Sequence, residues 1–355
     1  MNWLKKILPF WLKQIILKII FFPRKVVTPV LSRSKFLTNI YYLFFSQKFD
    51  REHMAVISGR NAYYHGLKSG KKASALLRRN IHRLEKGLIM RPRRDSFAEG
   101  FINETVNYYQ VYVNSDEVCD VEKKWFTDVL NEYFSIIKDT KTIAQARSAF
   151  KTCIIDKMTS YENVKFTPYL YEKLPPSDIS FEKLHQLFIR RRSVRWYENK
   201  PVPISLVEKA INIATLAPSA CNRLPYSFYI SSSKTKAVEM ASLAGGTSGF
   251  NDNIPCTIAI VGDLSAYPEE RDRHLIYIDA SLAAMQLMLA LNSLGLATCS
   301  INWPDIESAE KKMQRLLKLK SYQRPIMLLT VGYADEKGMI PFSQKKNAQI
   351  VLHKV

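Results

Sequence analysis

Residues 277–303 read YIDASLAAMQLMLALNSLGLATCSINW, and this stretch decides the architecture of the chain. From about Tyr277 to Leu294 it is apolar on almost every side, which predicts a buried helix. Four alanines in it let neighbouring backbones approach closely: Ala280, Ala283, Ala284 and Ala290. Gly295 predicts the end of the helix, because glycine adopts the left-handed conformation that closes helices. We therefore predict a long core helix that also lies against another subunit.

Apolar runs on both sides of this helix predict strands. PCTIAIVGD at 255–263 predicts a short buried strand around Thr257–Val261, and RPIMLLTVGYADE at 324–336 predicts a second. The tail AQIVLHKV at 348–355 has the residues of a third strand.

An arginine-rich segment, RRRSVRWYEN at 190–199, follows a predicted helix. Asp178 or Ser180 can cap that helix, and its apolar residues share one face: Phe181, Leu184, Leu187 and Phe188. Four arginines around Ser193 either complement the dipole at the helix end or surround a bound anion.

The next helix and its following loop carry a second cluster of polar residues. Ser205 and Glu208 have the spacing of a capping box, which predicts the helix start. The helix leads into LAPSACNRLPY at 216–226, where two prolines bracket Ser219, Cys221 and Asn222 in a tight loop. No histidine is near Cys221 in the sequence, which disfavours a catalytic thiol.

Four motifs in order resemble the FMN-dependent nitroreductase family: R-R-S-V-R at 191–195, A-P-S-A-C-N-R-x-P at 217–225, G-L-A-T-C at 295–299 and V-G-Y at 331–333, followed by a basic tail. The resemblance covers about residues 178–355. It implies an α+β, nitroreductase-like fold, with a central mixed or antiparallel sheet flanked by helices and a long buried interface helix.

The resemblance also implies where FMN binds. The phosphate falls to Arg191, Arg192, Ser193 and Arg195, whereas Arg190 matches a surface position. The loop with Pro218, Ser219 and Asn222 lies beside the isoalloxazine ring. The Gly295–Asn302 loop, which contains Ser300, matches the one whose backbone amides approach the N5 and dimethylbenzene side of the flavin. Lys345 or Lys346 matches the second phosphate-binding residue of the family, and we assign this role to Lys345.

The implied activity is an FMN-dependent oxidation of NADH or NADPH that reduces an unidentified acceptor, in a homodimer with FMN at the interface. Leu224 and Tyr226 stand where many relatives have glutamine and tryptophan, so the substrate side differs. No catalytic acid or base and no metal site is predicted. The alternatives are a non-catalytic or divergent flavin-binding relative, or an enzyme of a soluble metabolite whose N-terminal helices are purely structural.

The N-terminal part of the chain carries most of its positive charge. Residues 1–100 contain 21 Lys and Arg and 5 Asp and Glu, whereas the net charge of the whole chain is +20. Residues 1–25 alternate pairs of apolar residues with lysines, and Lys13 in mid-segment disfavours a membrane span. We predict a helix that lies on an anionic membrane surface at the cytoplasmic side; the alternative is a helix that packs on the protein itself.

The segments predicted are a basic amphipathic region at 1–50, a helical extension at 51–175 and the FMN-binding domain at 176–355. Within the extension, KKASALLRRNIHRLEKGLIM predicts a helix ended by Gly87 and Pro92, and residues 125–137 have the rhythm of a core helix. The cationic residues of the first of these helices, Arg78, Arg79, Arg83 and Lys86, form a solvated face or a patch for phosphate or an acidic substrate. Five separated cysteines suit a reducing compartment, and no nucleic-acid-binding motif is present.

Overall fold

The computed structural model of the chain describes residues 27–68, 73–115, 118–153 and 164–354. The described residues up to Met54 form one compact unit, and those from Ala55 onward form another. The predicted lipid-binding segment at 1–25 lies outside the described residues, and the predicted boundaries at residues 50 and 175 stay predictions.

The first unit contains α1 (Lys35–Phe44) and the start of α2 (Asp50–Lys68). Ser34 caps α1 by accepting a hydrogen bond from the Leu37 amide at 3.5 Å. Several large apolar side chains here are exposed to solvent: Phe36, Leu43, Phe44 and Phe45. The unit therefore presents an uncovered apolar surface.

Four further helices build a helical core in the second unit: α3 (Ala73–Leu88), α4 (Ile102–Val113), α5 (Asp120–Ile136) and α6 (Lys141–Cys153). Their apolar residues recur every three or four positions and meet in one cluster that includes Ile81, Val106, Phe126, Leu130, Tyr133 and Phe150. The two helices predicted in this region are confirmed. Gly87, however, lies inside α3, where its missing Cβ makes room for the Phe97 ring.

The C-terminal part of the chain is organised on one antiparallel sheet. Its strands are β1 (Tyr226–Ser231), β2 (Cys256–Asp263), β3 (Ala297–Asn302) and β4 (Gln323–Gly332), in the order β1-β2-β4-β3. Thr257 faces Thr330, and Ser300 faces Leu329. The predicted α+β fold and the strands at β2 and β4 are confirmed.

Helices cover both faces of this sheet, because alternate residues of each strand point to opposite sides. On one face, Ile258 and Ile260 pack with α8 (Ile204–Ala214) and α10 (Leu275–Ser293). On the other, Ala259 and Val261 pack with α9 (Lys234–Ser242) and α11 (Glu307–Leu317). Before them, α7 (Phe181–Arg190) is capped by Ser180, whose hydroxyl accepts from the Lys183 amide at 3.3 Å.

The long helix predicted from residues 277–303 is α10, and its end is as predicted. The Leu296 amide bonds to the Leu291 carbonyl at 2.9 Å, the Gly295 amide bonds to the Asn292 carbonyl, and Gly295 has φ +80. These bonds form a Schellman motif. One face of α10 is buried by the sheet and α8, whereas Ile278 and Leu282 point outward and are 52% and 43% exposed.

By length and composition, the segment Glu270–Ser293 that contains α10 is a candidate membrane span among the described residues. The buried face of this helix lies in the core of the sheet domain. A core helix can have the same length and the same apolar composition as a membrane span.

Helix α2 of the helical extension packs on this sheet domain. Ala55 and Val56 of α2 belong to a buried cluster with Leu264 and Tyr267. Arg60 of α2 donates a hydrogen bond from Nε to the Pro268 carbonyl at 2.9 Å.

Three local predictions are wrong. Helix α8 begins at Ile204 with Pro203 as its N-cap, so Ser205 lies inside the first turn and no side chain caps the helix. The fixed φ of proline starts the helix two residues earlier than a capping box at Ser205 would. Residues 297–302 of the predicted Gly295–Asn302 loop are strand β3, because they pair with β4. The tail forms the short helix α12 (Ala348–Val351), since no strand of the described residues pairs with it.

Candidate functional site

The arginine-rich segment is held by backbone pairing with β3. After α7 ends at Arg190, Ser193 forms a parallel bridge with Thr298. The Val194 amide donates to the Thr298 carbonyl at 3.0 Å. The structure therefore brings the segment Arg191–Arg195 next to Ser300, which is exposed on the same strand.

Two buried polar atoms at this place have no hydrogen-bond partner among the described residues: Arg191 Nε and Thr298 Oγ1. Buried polar atoms are nearly always bonded, so such a pair indicates a place where a ligand supplies the missing partners. Arg192 and Ser193 are half-buried beside them. A phosphate or another oxyanion fits this set of donors.

Arg195 is turned toward its own segment. Its Nη1 donates to the Ser193 carbonyl at 3.4 Å, and its guanidinium lies 5.9 Å from the centre of the Phe250 ring. Burial raises the pKa of the Cys299 thiol, and the positive charges of Arg195 and Arg191 act in the opposite direction. The thiol is thus neutral near pH 7, and it belongs to the buried apolar cluster that includes Val194 and Tyr197.

The loop predicted beside the flavin is clamped by a buried carboxylate. Asp279 of α10, which is 2% exposed, accepts hydrogen bonds from the Ser219 hydroxyl at 2.7 Å and the Ala220 amide at 2.9 Å. The Ser219 hydroxyl in turn accepts from the Leu224 amide at 2.8 Å. Pro218 precedes this clamp at the surface.

The clamp holds backbone that ordinary residues seldom adopt. Cys221, Asn222 and Leu224 have φ of 53, 52 and 48, in the left-handed region that favours glycine. Each such residue costs of order 1–3 kcal/mol and persists only where its surroundings impose the conformation. Strain of this kind is concentrated at ligand-binding loops.

The helical extension holds the other side of the loop. Arg78 of α3 donates from Nη1 to the Asn222 carbonyl at 3.0 Å and bonds through Nε to Glu122 at 2.5 Å. Glu122 also accepts from the Ser74 and Tyr112 hydroxyls at 2.9 Å. Arg78 is therefore a structural residue rather than part of a solvated face.

The sequence did not predict the clamping roles of Asp279, Arg78 and Glu122. A signal existed for Asp279, because it is the sole charged residue in the apolar stretch 277–294. A lone charge on a buried helix needs a partner. The pairing of Arg78 with the Asn222 carbonyl joins positions 144 residues apart and leaves no local pattern.

The predicted site residues thus form two groups and one outlier. Arg191, Arg192, Ser193 and Arg195 lie with Ser300, and Pro218, Ser219 and Asn222 lie together in the clamped loop. Lys345 is exposed in the tail, as is Lys346. Within the described residues, no hydrogen bond or ion pair joins Lys345 to the arginine segment.

Comparison with known proteins gives a family for this region. Residues 189–333 match the model described as "Nitroreductase family". An iodotyrosine deiodinase of Haliscomenobacter hydrossis is 24% identical over 217 residues, which cover 53% of this chain and 96% of that protein.

Two further proteins are similar to about half of the chain. A protein of Archaeoglobus fulgidus named "Putative NADH dehydrogenase/NAD(P)H nitroreductase" is 28% identical over 175 residues, 47% of this chain and 94% of its own. The crystal structure of a nitroreductase family protein from Streptococcus pneumoniae TIGR4 superposes with a TM-score of 0.42 and 28% identity, covering 49% of this chain and all of that one.

Proposed function

We propose, from the premise that residues 189–333 belong to the nitroreductase family, that this protein is an FMN-dependent oxidoreductase. It takes electrons from NADH or NADPH and passes them to a small-molecule acceptor. The observation that carries the proposal is the buried, unpartnered pair Arg191 Nε and Thr298 Oγ1 at the end of the arginine segment.

The residues present fit the phosphate of FMN. Arg191, Arg192 and Arg195 supply charge-assisted donors, and the Ser193 hydroxyl supplements them. When bound, FMN supplies the hydride and electron chemistry of the reaction, and the protein contributes binding and orientation. We propose that the clamped loop with Pro218, Ser219 and Asn222 would contact the flavin ring, and that Ser300 would also contact the flavin.

The clamp explains how the loop can serve a rigid ring. Asp279 and Arg78 fix the loop from two helices, so that its backbone amides and the Asn222 side chain keep one geometry before the cofactor arrives. Preorganised donors lower the cost of ordering on binding. They also stabilise negative charge where it develops, because they need not reorient.

Chromatography of the released cofactor tests the proposal. The purified full chain is reconstituted with FMN and FAD in separate samples, then stripped and analysed. We expect stoichiometric FMN, because one arginine cluster offers one phosphate site. Retention of FAD in preference to FMN, or of no flavin, contradicts the assignment.

We propose a homodimer with FMN at the interface. Large apolar side chains are exposed on α7, α10 and the tail: Phe181, Leu184, Phe188, Ile278, Leu282, Met339, Phe342 and Leu352. This number of exposed large apolar side chains supports an interaction surface. A second copy would cover these residues in an interface above about 2,000 Å², the obligate class, and the tail that carries Lys345 would then be able to reach a phosphate site.

Truncation after Lys337 tests the dimer and the role of the tail together. We expect the shortened chain to be monomeric and free of flavin at a protein concentration at which the full chain is a dimer with bound flavin. Analytical ultracentrifugation that records absorbance at the flavin band measures both properties. A monomer that keeps stoichiometric FMN contradicts the shared site.

We further propose that residues 1–25 bring the enzyme to an anionic membrane surface at the cytoplasmic side. The exposed residues Phe36, Leu43, Phe44 and Phe45 of the first unit extend the apolar character of that segment. Flotation of the full chain with anionic and with neutral vesicles is the test. We expect binding to anionic vesicles, lost on deletion of residues 1–25; failure to float with either contradicts it.

A further inference from the structure

A group of buried polar atoms near the clamped loop has no hydrogen-bond partner among the described residues. Its members are Arg223 Nε, Tyr226 Oη and Tyr267 Oη. The three residues are at most 9% exposed. A buried donor without a partner is costly, so three in one part of the fold require an explanation.

Arg223 and Tyr267 are neighbours, and the charge of Asp279 reaches both tyrosines. The Arg223 guanidinium lies 4.8 Å from the centre of the Tyr267 ring. Burial raises the pKa of Tyr226 to about 12 and raises that of Tyr267 further, and the charge of Asp279 acts on both hydroxyls. Asp279 already accepts from Ser219 and Ala220. Both tyrosines therefore remain neutral hydroxyl donors.

Helix α3, which contacts residues 220–222 of the clamped loop, carries two further arginines. Arg83, whose guanidinium lies 3.7 Å from the centre of the Phe101 ring, is one turn from Arg79. Burial lowers the pKa of Arg83, the neighbouring Arg79 lowers it further, and Cys221 and Glu104 act against this. Arg79 is half-buried, and no ion pair of the described residues includes it.

The acidic groups nearby do not neutralise this set. Glu122 is bound to Ser74, Arg78 and Tyr112, and Glu104 accepts from the Asn80 amide at 3.0 Å. Asp272 approaches Arg223 only to 4.0 Å. Arg79 and Arg83 of the extension and Arg223 of the loop thus have more N–H donors than hydrogen-bond acceptors among the described residues.

We propose that Arg79, Arg83 and Arg223, with the hydroxyls of Tyr226 and Tyr267, form a subsite for an oxyanion of the acceptor substrate. The oxyanion is a carboxylate or a phosphate. This inference rests on the proposed function, which places the same loop beside the flavin. The extension then selects the substrate, because α3 supplies two of the charges.

The chemistry of the donors supports an oxyanion over a neutral ligand. Arginine binds carboxylates and phosphates through a planar fork of N–H groups, and tyrosine hydroxyls add single donors at the remaining oxygens. Such bonds are about twice as strong as those between neutral groups. An anion would also relieve the repulsion between Arg79 and Arg83.

Calorimetric titration of the full chain, saturated with FMN, tests the subsite. The probes are inorganic phosphate and, separately, benzoate; tighter binding of one identifies the class of oxyanion. We expect Arg79→Gln to weaken binding at least tenfold, roughly the value of one charge-assisted bond. Arg79→Lys keeps the charge and should bind within threefold of the wild type, and Lys86→Gln, an exposed lysine of the same helix, should not change the affinity.

The same titration without flavin on an Arg191→Ala background separates this inference from the proposed function. Binding that persists there and still depends on Arg79 supports the subsite even when FMN does not bind. Absence of binding of both probes to the wild type overturns the subsite, as does equal affinity of Arg79→Gln and the wild type.

Discussion

The arginine segment and the clamped loop both cross the surface of the sheet domain, but they are held in opposite ways. Backbone pairing with Thr298 fixes the segment Arg191–Arg195 and leaves polar side-chain atoms without partners. Side chains of Asp279 and Arg78 fix the loop, and those two side chains have their partners.

The difference shows that a count of charged residues is a poor guide to a binding site. Arg78 and Arg191 look alike in sequence, yet one holds a carbonyl and a carboxylate while the other has a buried Nε without a partner. What distinguishes a ligand-binding arginine from a structural one is the inventory of partners that the fold already provides.

The largest expected effect is at the clamp. Asp279→Ala leaves the Ser219 hydroxyl and the Ala220 amide without an acceptor, which should lower the free energy of unfolding by about 2–5 kcal/mol. Urea denaturation measures it. Asp279→Asn, which keeps an acceptor oxygen, should lose less. If both variants are as stable as the wild type, the loop is not held by this carboxylate and the contrast between the two regions fails.

The second effect concerns the other side of the loop. Arg78→Ala removes the bonds to Glu122 and to the Asn222 carbonyl, and should cost about 1.5–3 kcal/mol of stability. Arg79→Ala, on the same helix and without an ion pair, is the matched control and should stay within about 0.5 kcal/mol. Equal losses in the two variants would mean that the loss in Arg78→Ala does not come from its bonds to Glu122 and the Asn222 carbonyl, because alanine itself favours a helix.

The third effect is on the affinity for FMN rather than on the free energy of unfolding. Arg191→Ala should weaken FMN binding by about 1.5–3 kcal/mol, with unfolding free energy changed by less than about 0.5 kcal/mol. Arg195→Ala should weaken FMN by a similar amount, and Arg190→Ala at the exposed end of α7 should not. Quenching of flavin fluorescence gives the affinities. Unchanged affinity in both Arg191→Ala and Arg195→Ala would assign the charges to the helix end alone.

The smallest effect is a difference in thiol labelling. Burial raises the pKa of Cys256 to about 12 and also raises that of Cys299, so less thiolate is present near neutral pH and it increases only as the pH rises toward the raised pKa. We expect Cys119, which is exposed, to react first with a disulfide reagent, and Cys256 and Cys299 only after denaturation. Mass spectrometry after limited labelling identifies the sites; prompt labelling of Cys299 would mean that the arginine segment opens.

Much of the fold follows from local patterns in the sequence. The core helix and its end at Gly295 could be predicted because apolar content and a left-handed glycine are properties of the stretch itself. Strand β3 and the tail could not, because a strand needs a partner: residues 297–302 find β4, whereas the tail pairs with no strand of the described residues.

The site was predictable only in part for the same reason. The motif around Ser193 indicated an anion site from its charge density, but the clamp depends on contacts between residues 59 to 144 positions apart. The position of Lys345 depends on where the tail goes, and its own sequence does not determine that.

The contacts of α2 and α3 with the sheet domain limit how this protein can be divided. Removal of the helical extension would bare the apolar surfaces of Leu264 and Tyr267 and free the carbonyls of Pro268 and Asn222. The region of this chain that matches the nitroreductase family model is therefore not a detachable module. It should unfold together with α2 and α3 in one cooperative transition. Recombination that exchanged it for a shorter relative would have to replace α2 and α3 as well.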